Sequence, residues 1–256
     1  MVAARLESAA QPGFHPDSYG FRPGRSDLDA VGRCRERCWS FDWVIDWDIA
    51  KFFDSPWDLI VAAVEVNTDQ PSIVLYVKRW LAAPVQRPDG SADHRHRGTP
   101  QGSAVSTVLA NLFLYYAFDV WMARSFPAVP FERYVDGAVV HCRSERQARM
   151  VAAATAQRME QVGLELHPHK TRIVYCKDGR RSGSHEHTAF DFLGFTFRAR
   201  GVRSKRGRVF TGFRPASAGP PSRGWVNRCG PGGCTGVPRS PSRTWRGRSI
   251  RSCRGG

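Results

Sequence analysis

Regular patterning begins at Ser26, a capping residue ahead of "DLDAVGRCRERCW" with Asp29 at the third helical position. A helix is predicted there, with Leu28, Val31 and Cys38 along its buried stripe. The period then changes in "WVIDWDIA": Trp43, Ile45, Trp47 and Ile49 alternate with polar positions, which reads as a strand carrying Asp46 and Asp48 on its other face. "DLIVAAVEVN" predicts a helix, and "SAVSTVLANLFLYYAFDVWMA" a longer one that turns Val108, Leu112, Tyr116 and Val120 to the core. In "FERYVDGAVVHC", strand formers flank Asp136-Gly137, a two-residue hairpin signal. Ser144 and Gln147 then form a capping box for a helix that Gly163 ends, and short strands are expected at 164–166, 173–176 and 190–197. Helix, strand, helix, helix, hairpin, helix and strands in that order predict an α+β fold: an antiparallel sheet with helices packed mainly on one face.

Composition changes this picture at the C-terminal end. A chain of 256 residues with 41% hydrophobic content has room for one good core and a tail or small second lobe. After Pro215 the sequence contains no Asp, Glu, Lys, Leu or Phe, only arginine among dense Gly, Pro and Ser, so residues 215–256 are expected to be disordered. The abrupt loss of acids and leucine also resembles translation in a shifted frame. Overall, 38 basic and 23 acidic side chains give +15; the tail's eight arginines leave the body at +7. Such an excess points to a polyanion such as nucleic acid rather than to a small acidic substrate.

No apolar run comes close to the roughly 18 residues of a membrane span, and "MVAARLESAA" lacks a signal-peptide core, so no membrane partner and a cytoplasmic location are expected. Seven scattered cysteines argue for reduced thiols over a disulfide framework. "CGPGGC" (Cys229 to Cys234) has no second Cys or His pair to complete a zinc site, and the pairs His94/His96, His167/His169 and His185/His187 read as solvated loop residues.

The candidate chemistry lies in two carboxylates. Asp48 on a strand face and Asp136 at a hairpin tip converge if their strands are neighbours, where a hard divalent ion can sit. Two-metal phosphoryl transfer needs such a pair. An aspartate at a strand end and another in a turn are equally ordinary structure, and the pattern alone leaves both readings open.

Six motifs narrow the choice: "SYGFRPGRS", "DIAKFFDS", "GTPQGSAVSTVLANLFL", "FERYVDGAVVHC", "VGLELHPHKTRIVYC" and "FDFLGFTF". In order and spacing, from about Phe14 to Phe213, the chain resembles the reverse transcriptases and maturases encoded by bacterial group II introns. The resemblance implies a polymerase palm that synthesises DNA on RNA with Mg²⁺ of the two-metal type. Its partners would be an RNA template or intron RNA, a DNA primer and dNTPs; the oligomeric state stays open. By that resemblance Asp48 and Asp136 are metal ligands, and Lys170 stands with them as a catalytic residue near the departing pyrophosphate. Phe53, Arg22, Pro100, Gln101 and Gly102 contact nucleotide or template, and Phe192, Leu193 and Gly194 grip the primer.

Departures from the family pattern set further expectations. Where the family carries Tyr, any residue, Asp, Asp, this chain reads Tyr134-Val135-Asp136-Gly137, so a carboxylate is missing and impaired catalysis is expected. "DSPWD" is one residue short. Residues 1–40 read as a remnant of the fingers and palm entry, 41–214 as the palm and 215–256 as the tail, a domain truncated at both ends. An impaired polymerase, a non-catalytic RNA-binding remnant and a decayed product all remain open at this point.

Overall fold

The computed structural model describes residues 2–50, 52–86, 91–93, 96–99, 104–181, 183–204, 207 and 209–217, without the side chains of Phe53, Val85, Gln86, Asp93 and Ala104. Pro100, Gln101, Gly102, His94, the Phe53 side chain and the tail beyond Ser217 lie outside the described residues.

Helices α1 (Val2–Ala10) and α2 (Asp27–Arg37) lead into strand β1 (Trp43–Ala50), followed by α3 (Trp57–Glu65), α4 (Pro71–Ala82) and a two-stranded ribbon, β2 (Val85–Gln86) with β3 (Ala92–Asp93). A helical run follows: α5 (Ala104–Leu114), one π-helical turn (Tyr115–Asp119) and α6 (Val120–Ser125). Then come β4 (Phe131–Tyr134), β5 (Gly137–Cys142), α7 (Glu145–Gln161), β6 (Glu165–Leu166), β7 (Arg172–Tyr175), β8 (Ala189–Phe192), β9 (Phe195–Arg203) and β10 (Val209–Ser217).

The α+β architecture is as expected. β1 is central: β5 pairs antiparallel along one edge, β7 and β6 share the other, and β4 lies outside β5. Trp43, Ile45, Trp47 and Ile49 all point into the large core, with Phe131, Ala138 and Val140 beside them and the helices over them. The opposite face, through Val44, Val139 and Val174, packs on α2 and on the three-stranded sheet β8-β9-β10. β1 is therefore covered on both faces at its start and half-open at Asp46 and Asp48, near its end.

Several local expectations need correction. The α2 capping box forms between Ser26 and Asp29, but Leu28 is 39% exposed; Ala30, Val31, Cys34 and Cys38 make the stripe. In the long helical run every position from Leu109 to Leu114 is buried, as are Ala117, Phe118, Asp119 and Met122, while Val108, Tyr116 and Val120 are half-buried. The π turn inserts into the period and rotates the stripe, which a uniform 3.6-residue count misses. By length and composition Val105–Ser125 also passes for a membrane span, contrary to the sequence reading, but 61% of it is buried in the core.

The expected strand 190–197 is a hairpin that turns at Leu193-Gly194, where both φ angles are positive (51° and 78°). β10 continues through Pro215 to Ser217, two residues past the compositional break. At α7, Gln147 reaches the backbone N–H of Arg143 rather than that of Ser144. His185 is no solvated loop residue: it packs on Trp43 and Tyr175, with ring centroids 4.7 and 4.3 Å away.

Candidate active site

Asp48 reaches its place through the β1 ladder. Asp48 stands opposite Gly137 of β5, and the Ile49 N–H donates to the Asp136 carbonyl at 3.2 Å, so the β4-β5 tip is bonded to the end of β1. Tyr134 pairs with Gly137, which makes the two-residue turn Val135-Asp136, one position earlier than the sequence suggested. Val135 has φ 57°, rare for a β-branched residue, and Gly137 is not among the positive-φ glycines. The glycine is therefore a ladder residue, not a turn requirement.

The motif "SYGFRPGRS" explains how that strained turn is held. Ser18 bridges Arg133 in parallel, Arg133 N–H donates to Asp17, and Tyr19 N–H donates to the Arg133 carbonyl, so the segment lies along the outer edge of β4. Gly20 packs where a Cβ would meet Val135 N at 2.5 Å and Tyr134 C at 3.2 Å. The Arg133 guanidinium, fully buried, donates to both Asp119 oxygens (2.6 and 2.7 Å), to Asn111, to Ser18 Oγ and to the Val135 carbonyl at 3.0 Å. One buried charged network thus fixes the turn that carries Asp136.

Asp48, Asp136, Gly137, Lys170, Phe192 and Leu193 all line one cavity of about 550 Å³, between the end of the main sheet and the β8-β9 turn. Lys170 Nζ lies 2.6 Å from Asp48 Oδ2, and the His167 N–H donates to the Asp48 carbonyl at 2.8 Å, which seats the 167–171 loop against β1. Burial, then the neighbouring Asp48, raises the Asp136 pKa, with Lys170 opposing. The hydrogen bond to Asp48 raises that of Lys170.

Asp46, Arg172, Asp191 and Phe21 also line this cavity and were not foreseen there. Asp46 is two positions from Asp48 on the same strand face, 3.6 Å from Arg172, and burial together with Asp191 and Asp48 carries its pKa up to about 7. The alternation of β1 contained that signal. Phe21, 56% exposed with φ 52°, lines the cavity, whereas Arg22 does not. Arg22 is spent on scaffolding: its Nη1 donates to the His15 and Ser18 carbonyls at 2.7 Å and its Nε to Gln11. Gly194 forms the β8-β9 turn without lining the cavity.

The profile of the family described as reverse transcriptase (RNA-dependent DNA polymerase) matches residues 1–197. The chain belongs to the reverse transcriptase family. This reverse transcriptase domain is 33% identical over 115 residues to an uncharacterized 91 kDa protein in the cob intron of Schizosaccharomyces pombe, covering 43% of the chain and 14% of that protein. It is 29% identical over 110 residues to a putative COX1/OXI3 intron 2 protein of Saccharomyces cerevisiae (43% and 13%). To the group II intron-encoded protein LtrA of Lactococcus lactis subsp. cremoris it is 27% identical over 111 residues (43% and 18%). The domain thus spans less than a fifth of these relatives. Among solved structures, apo telomerase from Candida tropicalis matches with TM-score 0.59 at 11% identity, over 77% of this chain and 38% of that one. Telomerase from Candida albicans, in complex with a fragment of telomeric RNA, matches with TM-score 0.57 at 12% identity (76% and 35%). At such identities the likeness concerns the fold.

Proposed function

We propose that this domain is the catalytic palm of a group II intron-type reverse transcriptase, extending a DNA primer on an RNA template, with its chemistry impaired at Gly137. The observation that carries the reading is the β1-β5 pairing, which brings Asp48 and Asp136 to one cavity and leaves a glycine opposite Asp48. Hard carboxylate oxygens on adjacent strands suit Mg²⁺, which commonly rests on one or two carboxylates plus substrate phosphates. Asp48 and Asp136 would hold it, and Asp46 and Asp191 add negative charge to the same cavity. When bound, the ions supply electrostatic stabilisation to the attacking and leaving oxygens of phosphoryl transfer.

The chain's own residues do the rest. Lys170, 61% exposed on its loop, can exchange Asp48 for a phosphate oxygen. Phe21 offers an exposed ring for base stacking at the cavity mouth, and Phe192 and Leu193 face it from the β8-β9 turn, where a primer end would rest. Loss of one carboxylate weakens positioning, from which most of the catalysis of phosphoryl transfer comes.

The test compares Gly137 with Gly137→Asp in two chimeras that supply the flanking regions of the Lactococcus lactis relative, with Asp48→Asn as background. Primer extension on RNA in Mg²⁺ should be at least about tenfold faster in the Gly137→Asp chimera, equivalent to about 1.4 kcal/mol of transition-state stabilisation. Equal, robust extension by the two would show that Asp48 and Asp136 suffice. Extension unaffected by Asp48→Asn would overturn the active-site assignment itself.

A further inference from the structure

The three-stranded sheet β8-β9-β10 leaves one of its faces open. On the inner face Phe190, Phe197 and Phe213 are buried together, the Phe190 ring centroid lying 4.7 Å from that of Phe197 and 6.1 Å from that of Phe213. The alternate residues of the two long strands point the other way, in cross-strand pairs: Arg198 opposite Arg214, Arg200 opposite Gly212 and Val202 opposite Phe210. None of these six is buried.

Two properties set this face apart from an ordinary solvated surface. The first is unbalanced charge. Arg198 and Arg214 stand directly across from each other, a like-charged pairing that destabilises a sheet unless an anion lies over it. Among the described residues none of Arg198, Arg200 and Arg214 forms an ion pair. Arg200 donates only a long hydrogen bond to the Thr196 carbonyl, at 3.4 Å, and its Nε has no partner. The second is an aromatic ring in the open. Phe210 is 48% exposed, and a Cβ at Gly212 would meet Phe210 Cε2 at 3.6 Å, Arg214 Nε at 3.7 Å and Val202 Cγ2 at 3.8 Å. Glycine at 212 thus lets the ring and the guanidinium stem lean over the backbone from either side, on strands that hold both in place. The patch continues to the exposed Trp39, whose ring centroid lies 6.0 Å from the Arg214 guanidinium and 4.9 Å from that of Arg35.

We propose that this outer face, centred on Phe210 and Arg214, binds single-stranded nucleic acid. Unpaired bases stack on Phe210 and Trp39, and Arg198, Arg200 and Arg214 neutralise the phosphates between them. A duplex would satisfy the arginines but keeps its bases stacked inside, and an acidic peptide has no repeating flat group to lay on the rings. From Arg198 to Val202 the strand runs roughly 13 Å, so the tract held is short and its sequence is not read. None of these residues lines the carboxylate cavity, and the proposal does not rest on the polymerase reading.

The test measures binding of the full chain to a labelled, unstructured oligouridylate of roughly 15 nucleotides by fluorescence anisotropy. Phe210→Leu should weaken binding about fivefold or more without changing the salt dependence, and should leave binding of a fully paired RNA of the same length unchanged. Arg198→Gln/Arg214→Gln should make the slope of log K against log salt shallower by about 1.4, two phosphates at roughly 0.7 each. Arg124→Gln/Arg146→Gln removes the same charge from exposed positions on α6 and α7, and should change the slope by less than about half as much. In the unmodified chain, the same oligonucleotide carrying 4-thiouridine should photocrosslink to the peptide that contains Phe210. Single-strand affinity untouched by Phe210→Leu overturns the proposal, as does an equal loss on the duplex. So does a control pair that matches Arg198→Gln/Arg214→Gln, or crosslinks confined to residues 218–256.

Discussion

Nothing in the backbone at position 137 requires glycine, since its φ is not positive and an added Cβ would meet only Trp47 O at 3.8 Å and Tyr134 O at 3.9 Å. Gly137→Asp should therefore fold normally. In metal-free buffer the new carboxylate joins Asp48 and Asp136 and repels them, so stability is expected to fall by on the order of 1 kcal/mol and Tm with it. Mg²⁺ should then raise Tm more in the variant than in the unmodified chain, a difference that scanning fluorimetry can read without any turnover. An identical Mg²⁺ response would show that position 137 does not face the ion. Asp46 makes a separate prediction about pH. Its folded-state pKa, about 7, lies above the unfolded value of roughly 3.9, so its contribution to stability is fully present below about pH 4 and is lost as pH rises through about 7. In the metal-free protein Asp46→Asn should flatten that decline, by up to a few kcal/mol since the side chain is only 15% exposed, with urea midpoints at pH 5 and pH 7.5 as the measurement.

The hairpin tip is the element on which function turns, and it is not self-supporting. Val135 keeps its positive φ because Arg133 binds its carbonyl and the segment around Gly20 presses on its amide. Gly20→Ala drives a Cβ into the Val135 backbone, so a destabilisation of about 1–3 kcal/mol is expected, with weakened Mg²⁺ binding although residue 20 carries no ligand. Asp119→Ala would strand the buried Arg133 charge and should destabilise by about 3–5 kcal/mol in denaturant melts. Most of this element was legible in the sequence: the alternation of "WVIDWDIA" and the strand formers around Asp136 placed the carboxylates at adjoining strand ends. The turn's position was not, because Asp-Gly is a strong local turn signal that the ladder between β1 and β5 overrides by one residue. Phe21 and Asp191 were missed for a different reason. Each reaches the cavity through tertiary packing of a remote segment, and no local period marks them. Helices α1 and α4 and strand β10 went unread as well, although α4 carries legible signals: Pro71 in its first turn and Ile73, Val77 and Leu81 spaced four residues apart along its buried stripe.

At the scale of the whole molecule, the sheet divides the labour. One face is committed to the large helical core, and the other is roofed by α2 and the β8-β9-β10 sheet, leaving the cavity as the opening where strand ends meet the roof's turn. Around that frame the charge is strongly one-sided, +15 for the chain and +7 without the arginines beyond residue 216. No base-specific pattern is needed for such a surface to bind RNA, since phosphate neutralisation and counterion release supply sequence-independent affinity. Binding of a primer-template hybrid should therefore be weak, indifferent to sequence and steeply salt-dependent, log K falling against log salt with a slope of about −0.7 to −0.9 per phosphate neutralised. Truncation after Ser217 removes eight arginines, and if they contact the nucleic acid the slope becomes shallower while sequence preference stays flat. Titrations of the full and shortened chains between 50 and 200 mM salt, roughly the range over which such contacts lose several orders of magnitude in affinity, separate the two contributions. Affinity that is tight, insensitive to salt and confined to one RNA would instead point to direct readout of bases, and the charge-driven account of this surface would be wrong.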